Sequence, residues 1–327
     1  MEKIDVKDRR ILYELDGNCR QSFRSIGRKV GLSKDVVAGR VKRLLDKGII
    51  KRFIIYYDIL QLGLNFLRFY FKFQYATPDI KKEIINHFMD NDQVIILFSA
   101  EGSYDLGVLM MVKNITDIYP FWRKTLEKYG DYFLNQVFSA YTGELIYGHA
   151  FLLEGIETPE RKPLQRKWGK VKIDNLDFDI LKLLVKNARM PTVEIANKLN
   201  STVLTINSRI KKLIESKVIL GYSIEMDIDK IGYQVWKVDF YLSEYTKKNQ
   251  IIKYIEKNPL VFCVDYTIGY ADLELEIYVK NINQLHDIIE DIHSKFPRII
   301  KHSSYFRGVK FYKWYDLSKV SSKEIIK

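Results

Sequence analysis

The sequence has few of the residues that build disulfide frameworks or cysteine-based metal sites. Only 2 of its 327 residues are cysteine and only 7 are proline. Cys19 and Cys263 exclude a disulfide framework and a cysteine zinc site, so we expect two buried free thiols. No apolar run is long enough to span a membrane, and the first residues, MEKIDVKD, lack the apolar core of a signal peptide. We therefore expect a cytoplasmic protein with no membrane partner.

Histidine is also scarce, and the spacing of the 5 histidines favours surface positions over a metal site. We expect neither a metal nor a cofactor. Positive charge is in excess, with 53 Lys and Arg against 41 Asp and Glu. A net charge of +12 favours a polyanionic partner, which could be nucleic acid or an anionic membrane surface. With 47% hydrophobic residues, the chain can build two or more domains with substantial cores.

Residues 33–48, SKDVVAGRVKRLLDKG, predict a helix with marked ends and two unlike faces. The Ser33 hydroxyl can cap its start, and Gly48 can take the left-handed position after its end. Valine and leucine recur at helical spacing and form one apolar stripe, which leaves the opposite face basic. An ordinary surface helix would show the same two faces, so the surrounding sequence must distinguish them.

Helices predicted over residues 4–15 and 22–30 precede this segment, and the strand formers IIKRFIIYYD follow it. This order is typical of a winged helix-turn-helix, whose last helix enters the DNA major groove. We expect the strand formers to make the two short strands of a wing that reaches the phosphate backbone. Arg40 recurs in the second half of the chain, so an internal ion pair is the alternative for it. The expected DNA contacts are Ser33, Lys34, Arg40, Lys42, Arg43, Lys51 and Arg52.

The strongest feature of the sequence is an internal repeat. IDVKDRRIL at Ile4 returns as IDNLDFDIL at Ile173, and the same offset holds without gaps as far as Gly63 and Gly232. The later pair, Gly102 and Gly269, stands closer together than that offset requires, so the second copy has lost two residues, which we place in a loop. The chain therefore consists of two tandem copies of one two-part unit.

The second part of each unit alternates strands with helices. In FLRFYFKFQ, apolar and polar side chains alternate with the period of a half-buried strand. The elements that follow complete a βαββαβ ferredoxin-like sandwich, with last strands predicted over residues 132–141 and 299–305. The fold class is therefore α+β, with a tandem repeat of both parts. We predict winged helix-turn-helix domains at 1–60 and 172–231, ferredoxin-like sandwiches at 61–153 and 232–316, a basic linker at 154–171 and a frayed tail at 317–327. The linker is either solvated or brushes DNA phosphates.

The two helix-turn-helix domains differ in charge. Residues 1–60 carry 15 Lys and Arg against 8 Asp and Glu, whereas residues 172–231 carry 10 against 8. We expect the first domain to bind DNA better, while the second either reads different bases or serves chiefly as a scaffold. Lys217 stands where the first domain has Gly48, so the second recognition helix lacks a glycine stop. The expected DNA contacts of the second domain are Thr202, Asn207, Arg209, Lys211 and Lys212.

Several residues of the first domain stand in a recognisable order. They are Ile4-Asp5, Asp8, Ile11-Leu12, Arg20, Ile26, the turn Gly31-Leu32-Ser33, Val37, Arg40, Leu44 and Gly48-Ile49-Ile50. This order resembles the leucine-responsive regulator (Lrp/AsnC) family of transcription factors, which joins a winged helix to a ferredoxin-like sandwich. The resemblance implies a sequence-specific transcriptional regulator whose partner is double-stranded DNA. Family members usually pair through their sandwiches, so here one chain would form an intramolecular pseudo-dimer, with further self-association left open.

The resemblance also implies a small effector, often an amino acid, bound near a Gly-x-x-Asp turn of the sandwich. That turn occurs twice, and its glycine exposes backbone amides to a carboxylate while its aspartate could face an ammonium group. A plain hairpin turn capped by aspartate needs the same residues and is the alternative. The expected effector contacts are Gly102, Tyr104, Asp105, Gly269 and Asp272.

An enzyme is the competing interpretation, because siroheme decarboxylases resemble this two-part architecture and occur as fused pairs. Their His-Asn-Tyr and Trp-Pro-Tyr-Asn motifs do not occur in this sequence. His149 and the aromatic residues from Tyr305 to Tyr315 keep that interpretation open, as does a third one, a scaffold that does not bind DNA. We expect no catalytic residues and no enzyme activity.

Overall fold

The computed structural model describes residues 2–153, 162–314 and Leu317, and it contains the same two-part unit twice. The first unit has three helices and a strand, which we call the first head, followed by a βαββαβ sandwich. Its elements are α1 (Val6–Gly17), α2 (Phe23–Val30), α3 (Lys34–Asp46), β1 (Ile50–Tyr57), β2 (Asn65–Phe73), α4 (Pro78–Met89), β3 (Val94–Gly102), β4 (Leu106–Val112), α5 (Tyr119–Tyr129) and β5 (Phe133–Ile146).

The second unit begins with a short extra strand and then repeats the same order, so the tandem α+β architecture is confirmed. Its three helices and first long strand form the second head. The elements are β6 (Leu164–Lys167), α6 (Asn175–Lys186), α7 (Thr192–Lys198), α8 (Val203–Glu215), β7 (Ile219–Met226), β8 (Gln234–Leu242), α9 (Lys248–Ile255), β9 (Val261–Ile268), β10 (Leu273–Val279), α10 (Ile282–Lys295) and β11 (Ile300–Lys313). None of the described helices is both long enough and apolar enough to cross a lipid bilayer.

The two sandwiches share one closed sheet. Within each, the strand order is that of a ferredoxin-like fold, β5-β2-β4-β3 in the first and β11-β8-β10-β9 in the second. Strand β3 then pairs antiparallel with β11, and β5 pairs antiparallel with β9, so that eight strands form a continuous ring. Most of this pairing uses the far ends of β5 and β11, which continue past residues 141 and 305. The predicted ends of these two strands were therefore too early.

Strand β2 is buried on both faces, although its sequence predicted a half-buried strand. Leu67, Phe69 and Phe71 pack against the helices of the first sandwich and are at most 4% exposed. Arg68 and Tyr70, on the opposite face, are only 1% and 2% exposed because that face lies against the second sandwich. The alternating pattern is correct, but the polar half of it marks the junction between sandwiches and not solvent.

The expected two-stranded wing within the first head is wrong. The strand formers after Gly48 make one strand, β1, which pairs antiparallel with β7 of the second head along its whole length. A backbone hydrogen bond from Asp58 to Val218 and another from Asp227 to Ile49 close the two ends of this ribbon. Each head thus contributes one wing strand, and the two heads are joined directly.

The linker prediction falls partly outside the described residues, which exclude 154–161, and the tail prediction lies outside them except for Leu317. From residue 162 onward the linker is not a solvated connector. Strand β6 pairs with β5, and the Gly169 and Val171 amides donate to the carbonyl groups of Leu60 and Gln61. The Arg166 guanidinium forms an ion pair with Glu144, so it is not available to DNA phosphates.

The second recognition helix is followed by a lysine in a strained backbone conformation, where the first has glycine. Lys217 adopts a left-handed backbone with φ of +61°, nearly the same as the +63° of Gly48 at the equivalent position. A residue with a side chain pays about 1 kcal/mol for this conformation. We expect Lys217→Gly to raise the thermal unfolding midpoint of the chain and Gly48→Ala to lower it, measured by circular dichroism. A lower midpoint for Lys217→Gly would contradict the assignment of strain.

Candidate nucleic-acid interface

The first head presents α3 after a tight turn from α2. Gly31 ends α2 at φ of +68°, and the Ser33 hydroxyl accepts the Val36 amide at 3.3 Å, which caps the start of α3 as predicted. Val37, Val41 and Leu44 are buried against the head, which fixes the rotation of α3 about its axis. The outward face of the helix is therefore defined by packing.

Arg40 and Arg43 both turn toward α1. Asp8 is 1% exposed, and its carboxylate accepts from Arg40 Nη1 at 2.9 Å and from Arg43 Nη2 at 2.6 Å. Arg40 also pairs with Asp5 at 2.6 Å, and this carboxylate caps α1 through the Asp8 amide. Arg40 is thus held within its own domain, the alternative that the repeat indicated. Arg43 keeps 47% of its side chain exposed and remains a candidate for a DNA contact.

The second head repeats the same cluster. Asp177 is fully buried and accepts from Arg209 Nη1 at 3.2 Å and from Lys212 Nζ at 3.5 Å, while Arg209 also pairs with Asp174. The repetition of an acid on the first helix and two cations on the third shows a common structural role, which is to tie the recognition helix to its domain. Removing these cations would leave a buried carboxylate unpaired.

Four exposed cations of α2 and α3 have no ion pair within the described residues: Arg24, Arg28, Lys34 and Lys42. Lys34 and Lys42 lie on α3, as predicted, whereas Arg24 and Arg28 lie on α2 and were not predicted. The signal for the α2 pair was present, because Phe23, Ile26 and Val30 occupy the inward face and leave both arginines outward.

The second head has neutral residues at most of these positions. At the offset that relates Ile4 to Ile173, the counterparts of Arg24, Arg28 and Lys34 are Val193, Asn197 and Val203. Leu204, next on α8, is 82% exposed. Thr202 caps α8 by accepting the Thr205 amide at 3.1 Å, Asn207 is exposed, and Lys211 pairs with Glu215 at 3.7 Å. The second head therefore offers an apolar and weakly charged surface.

Gly39 lies on the exposed face of α3. A methyl group built at this position would meet no other heavy atom within 4 Å, so no neighbouring helix requires the glycine. Glycine costs a helix interior about 1 kcal/mol relative to alanine. Close approach of the helix backbone to a partner outside the chain is a physical reason for accepting that cost.

Lys51 and Arg52 lie on β1 and face the second head. Arg52 forms an ion pair with Glu225 of β7, and Lys51 Nζ lies 3.9 Å from the carboxylate of Asp227. The predicted phosphate contacts assumed a free wing, whereas these side chains reinforce the joint between the heads. A DNA contact by Arg52 would require breaking its ion pair.

Two equivalent arginines lock the heads together reciprocally. Arg20 donates to the carbonyl groups of Ala188 and Met190 at 2.6 and 2.8 Å, and Arg189 donates to the carbonyl of Cys19 at 2.6 Å. The two heads are therefore related by an approximate twofold arrangement, and the separation of α3 and α8 is fixed. The constant offset between the two copies makes Arg20 and Arg189 equivalent, but it does not reveal that they join the heads. Cys19 is buried and unpaired, as is Cys263, as predicted.

In both Gly-x-x-Asp turns the aspartate accepts a hydrogen bond from a backbone amide of the same sandwich. Asp105 accepts the Phe73 amide at 2.8 Å, and Asp272 accepts the Leu242 amide at 2.7 Å. Gly102 and Gly269 take φ of +108° and +96°, which suits glycine alone. Tyr104 is buried and stacks on Tyr70 with ring centroids 5.1 Å apart. These contacts match the hairpin-turn alternative, and an effector contact at these five positions stays a prediction.

A buried ionic cluster joins the two sandwiches. The Arg68 guanidinium pairs with Glu274 and lies 3.6 Å from the carboxylate of Asp265, which also pairs with Lys237. Arg68, Asp265 and Glu274 are each at most 2% exposed. Tyr141 connects the two sides by accepting from Arg68 at 3.0 Å and donating to Asp265 at 2.9 Å. Arg68 and Tyr141 come from the first unit and the other three residues from the second.

Asp239 is the least satisfied member of this region. It is fully buried, its Oδ2 accepts from the Tyr270 hydroxyl at 2.6 Å, and its Oδ1 has no partner in the described part of the chain. Burial, with Glu274 nearby, raises the pKa of Asp239 to about 7, against the opposing effect of Arg68 and Lys237. The folded protein therefore favours the protonated acid.

This pKa predicts a stability that falls as the pH rises. Because the folded-state pKa lies above the unfolded one, the folded chain binds more protons between pH 4 and 7, and unfolding becomes easier across that window by up to about 1.4 kcal/mol per pH unit. Asp239→Asn should remove this component. We expect its unfolding midpoint to match the parent at pH 4, to exceed it increasingly up to pH 7 and to keep a constant excess above. A constant difference at every pH would contradict the shift.

His149, which kept the enzyme interpretation open, is held by structural contacts, and so are the members of one cluster of potential metal ligands. His149 is buried, and its Nδ1 lies 2.7 Å from an oxygen of Asp16. Glu144, Cys263 and Asp265 bring potential metal-ligand atoms together, but Arg166 occupies Glu144 while Lys237 and Arg68 occupy Asp265. Burial raises the pKa of the Cys263 thiol well above its usual value, which disfavours the thiolate that a metal needs.

Comparison with known proteins is consistent with this architecture. A family model described as winged helix-turn-helix DNA-binding matches residues 4–51 and 173–219. HTH-type transcriptional regulator Ptr1 of Methanocaldococcus jannaschii is 35% identical over 121 residues, which cover 37% of this chain and 78% of that protein. Regulatory protein AsnC of Haemophilus influenzae is 31% identical over 118 residues, which cover 36% of this chain and 79% of that protein.

Similarity to a solved structure extends over nearly the full length of the chain. The siroheme decarboxylase NirDL superposes with a TM-score of 0.64 and covers 98% of this chain and 96% of its own, at 14% sequence identity. At that identity the likeness establishes the shared fold of two fused units and nothing of the chemistry. The regulators, in contrast, match at the level of residues over most of their own length. The chain therefore belongs to the Lrp/AsnC family, as a tandem fusion of two family units.

Proposed function

We propose that this chain is a sequence-specific, DNA-binding transcriptional regulator that acts in the cytoplasm on double-stranded DNA. The observation that carries the proposal is the first helix-turn-helix, where α2 and α3 project an exposed face with Gly39 and four cations that no acid of the described chain neutralises. Exposed Lys and Arg side chains without an acidic partner can bind DNA phosphates. Each such contact releases a counterion from the DNA, and this release favours binding. The relatives named as transcriptional regulators support the same function.

The two heads would read unlike half-sites at a fixed distance. The β1–β7 ribbon and the reciprocal Arg20 and Arg189 contacts hold α3 and α8 in one unit, which supports binding of both helices to one duplex at a fixed spacing. The first head supplies charge, and the second offers Val203 and Leu204, whose side chains suit thymine methyl groups. We therefore propose an asymmetric site with a thymine-rich second half.

The paired sandwiches would act as an intramolecular pseudo-dimer that supports the heads. The β3–β11 and β5–β9 pairings support this proposal, as does the cluster in which Arg68 of the first unit neutralises acids of the second. A second copy of the second sandwich could not supply that arginine, because Lys237 stands at the equivalent position and already pairs with Asp265. The pairing is therefore selective for unlike sandwiches, a first with a second.

The test of the proposed function is a fluorescence-anisotropy titration with mixed genomic duplex DNA, together with an absorption spectrum after incubation with iron tetrapyrrole. A regulator should bind the mixed DNA with a Kd on the order of 10⁻⁶–10⁻⁴ M at physiological salt, with a steep salt dependence, and should retain no tetrapyrrole. Stoichiometric tetrapyrrole binding without DNA binding would instead favour an enzyme related to siroheme decarboxylases.

Gly39 offers a change whose effects on stability and on DNA binding have opposite signs. Gly39→Ala should stabilise the free protein by about 1 kcal/mol, because alanine favours the helix and the methyl group meets nothing. It should nevertheless weaken DNA binding several-fold if the α3 backbone approaches the duplex closely. Gly130→Ala is the matched control, since a methyl group there also meets nothing and the site lies at the end of α5 in the sandwich. Unchanged DNA affinity for Gly39→Ala would contradict a close approach of the α3 backbone to the duplex at Gly39.

A further inference from the structure

Lys248 occupies an unusual position in the second sandwich. It is the first residue of α9 and only 7% exposed, yet its ammonium has no hydrogen bond or ion pair in the described ranges 2–153 and 162–314. Two rings lie beside it, Tyr266 at 4.9 Å and Tyr245 at 5.4 Å from Nζ to the ring centroid. A buried cation without an acid is costly unless something else completes its environment.

This lysine lines a cleft of about 270 Å³. The other lining residues are Tyr245, Thr246, Asn249 and Tyr266. Tyr245 and Thr246 belong to the short turn before α9, and Tyr266 stands on β9, so the cleft lies where the first turn of α9 meets the sheet. The cleft thus combines one cation, two aromatic walls and two small polar side chains.

The equivalent position in the first unit shows that the fold does not require a buried lysine. Ile84 and Ile251 are equivalent buried residues, and at the same offset Lys81 corresponds to Lys248. Lys81 is exposed, and Ser99 stands where the second unit has Tyr266. The burial of Lys248 and its tyrosine walls is therefore a property that the second unit has acquired alone.

We propose that this cleft is a binding site for a small aromatic carboxylic acid, whose carboxylate pairs with Lys248 and whose ring lies between Tyr245 and Tyr266. Thr246 and Asn249 carry donors that can complete the coordination of the carboxylate. The aromatic walls favour a flat ligand. The inference deepens the proposed regulatory function and rests on it only for naming the bound acid an effector.

The electrostatics of the cleft agree with this assignment. Burial lowers the pKa of Lys248, and Glu274 and Asp272 oppose that effect from a distance without forming a contact. A bound carboxylate would stabilise the charged ammonium of Lys248, as Glu274 and Asp272 already do from a distance. Binding should therefore raise the pKa of this lysine.

The experiment uses benzoate as the probe and benzyl alcohol as its uncharged match, with binding measured by isothermal titration calorimetry on the full chain. We expect benzoate to bind at least tenfold more tightly than benzyl alcohol and than inorganic phosphate. Lys248→Met should lose benzoate binding at least tenfold, whereas Lys81→Met should leave it unchanged. Equal binding of benzoate to Lys248→Met, or equal affinity for phosphate and benzoate, would overturn the proposal, as would the absence of any benzoate binding.

Folding and DNA binding provide independent readouts. Lys248→Met should unfold at the same temperature as the parent or at a higher one, because it removes a buried charge that lacks a partner. DNA binding without benzoate should be equal for parent, Lys248→Met and Lys81→Met. A chain that binds benzoate but no DNA would refute the regulator and not the site, and a chain that binds DNA but no benzoate would refute the site alone.

Discussion

Arg68→Met is expected to lower the free energy of unfolding by about 3–5 kcal/mol, a large loss for a single substitution. The guanidinium is 1% exposed and pairs with Glu274 and Asp265 at the junction between the sandwiches. Methionine fills a similar volume but leaves Glu274 buried without its cation. Urea denaturation followed by tyrosine and tryptophan fluorescence measures the effect.

The controls separate lost charge pairing from lost packing. Glu274→Gln should recover much of the stability when combined with Arg68→Met, because the double variant contains no unpaired buried charge at this position. Arg123→Met is the matched control, since Arg123 is 60% exposed and, among the residues that the structure describes, pairs only with Glu127 one helical turn away. We expect Arg123→Met to change stability by less than about 0.5 kcal/mol. A loss below about 1 kcal/mol for Arg68→Met would show that the ionic cluster does not hold the sandwiches together.

The second large effect concerns DNA affinity. Arg28→Ala combined with Lys42→Ala should weaken binding at physiological salt by one to two orders of magnitude and make the log-log salt slope shallower by up to about 1.8, roughly 0.9 per phosphate contact. Neither side chain has an ion pair in the described chain, so the thermal midpoint should not change. Anisotropy titrations at several salt concentrations measure both quantities.

Two other changes define what this result means. Arg40→Ala should lower the thermal midpoint, because Asp8 is buried and relies on Arg40 and Arg43 for its charge. Weaker DNA binding by that variant would therefore not identify a contact. Lys211→Ala, at the position in the second head equivalent to Lys42, should have a smaller effect on affinity, since Lys211 is already paired with Glu215. An unchanged salt slope for the Arg28 and Lys42 variant would contradict DNA binding by this face of α2 and α3.

Local sequence patterns predicted the elements of each unit well. The capping serine of α3, the glycine after it and the spacing of its buried valines and leucine all act within one helix, so short-range rules suffice. The constant offset between the two copies then carried the same elements into the second unit. Asn200 stands where the first unit has the turn glycine Gly31, and its φ of +47° is a left-handed backbone that asparagine adopts more easily than most residues.

Contacts between the two units were not predictable in the same way. The pairing of β1 with β7 joins strands that lie far apart in the sequence, and no local periodicity specifies such a partner. A two-stranded wing within one head uses the same strand formers, so the sequence was equally compatible with it. The extensions of β5 and β11 were missed for the same reason, because their partners belong to the other sandwich.

Charged residues illustrate the same limit at the site. The sequence pattern predicts Arg68 on the solvent side of a half-buried strand. Its burial is tolerated because Glu274 of the other unit forms an ion pair with it. Arg40 and Arg43 read as outward residues of a basic helix, yet Asp8 of α1 holds both. The internal repeat was the better guide, because an acid and two cations that recur together in both heads indicate a structural cluster.

The most direct test of the account is a selection of bound fragments from genomic DNA, followed by footprinting of the enriched sequences with the parent chain. We expect one recurrent site with two unlike halves, one of them thymine-rich, and loss of enrichment with the Arg28 and Lys42 variant. Enrichment of a perfect palindrome would contradict the unequal heads, and fragments no different from the input would contradict sequence-specific DNA binding itself.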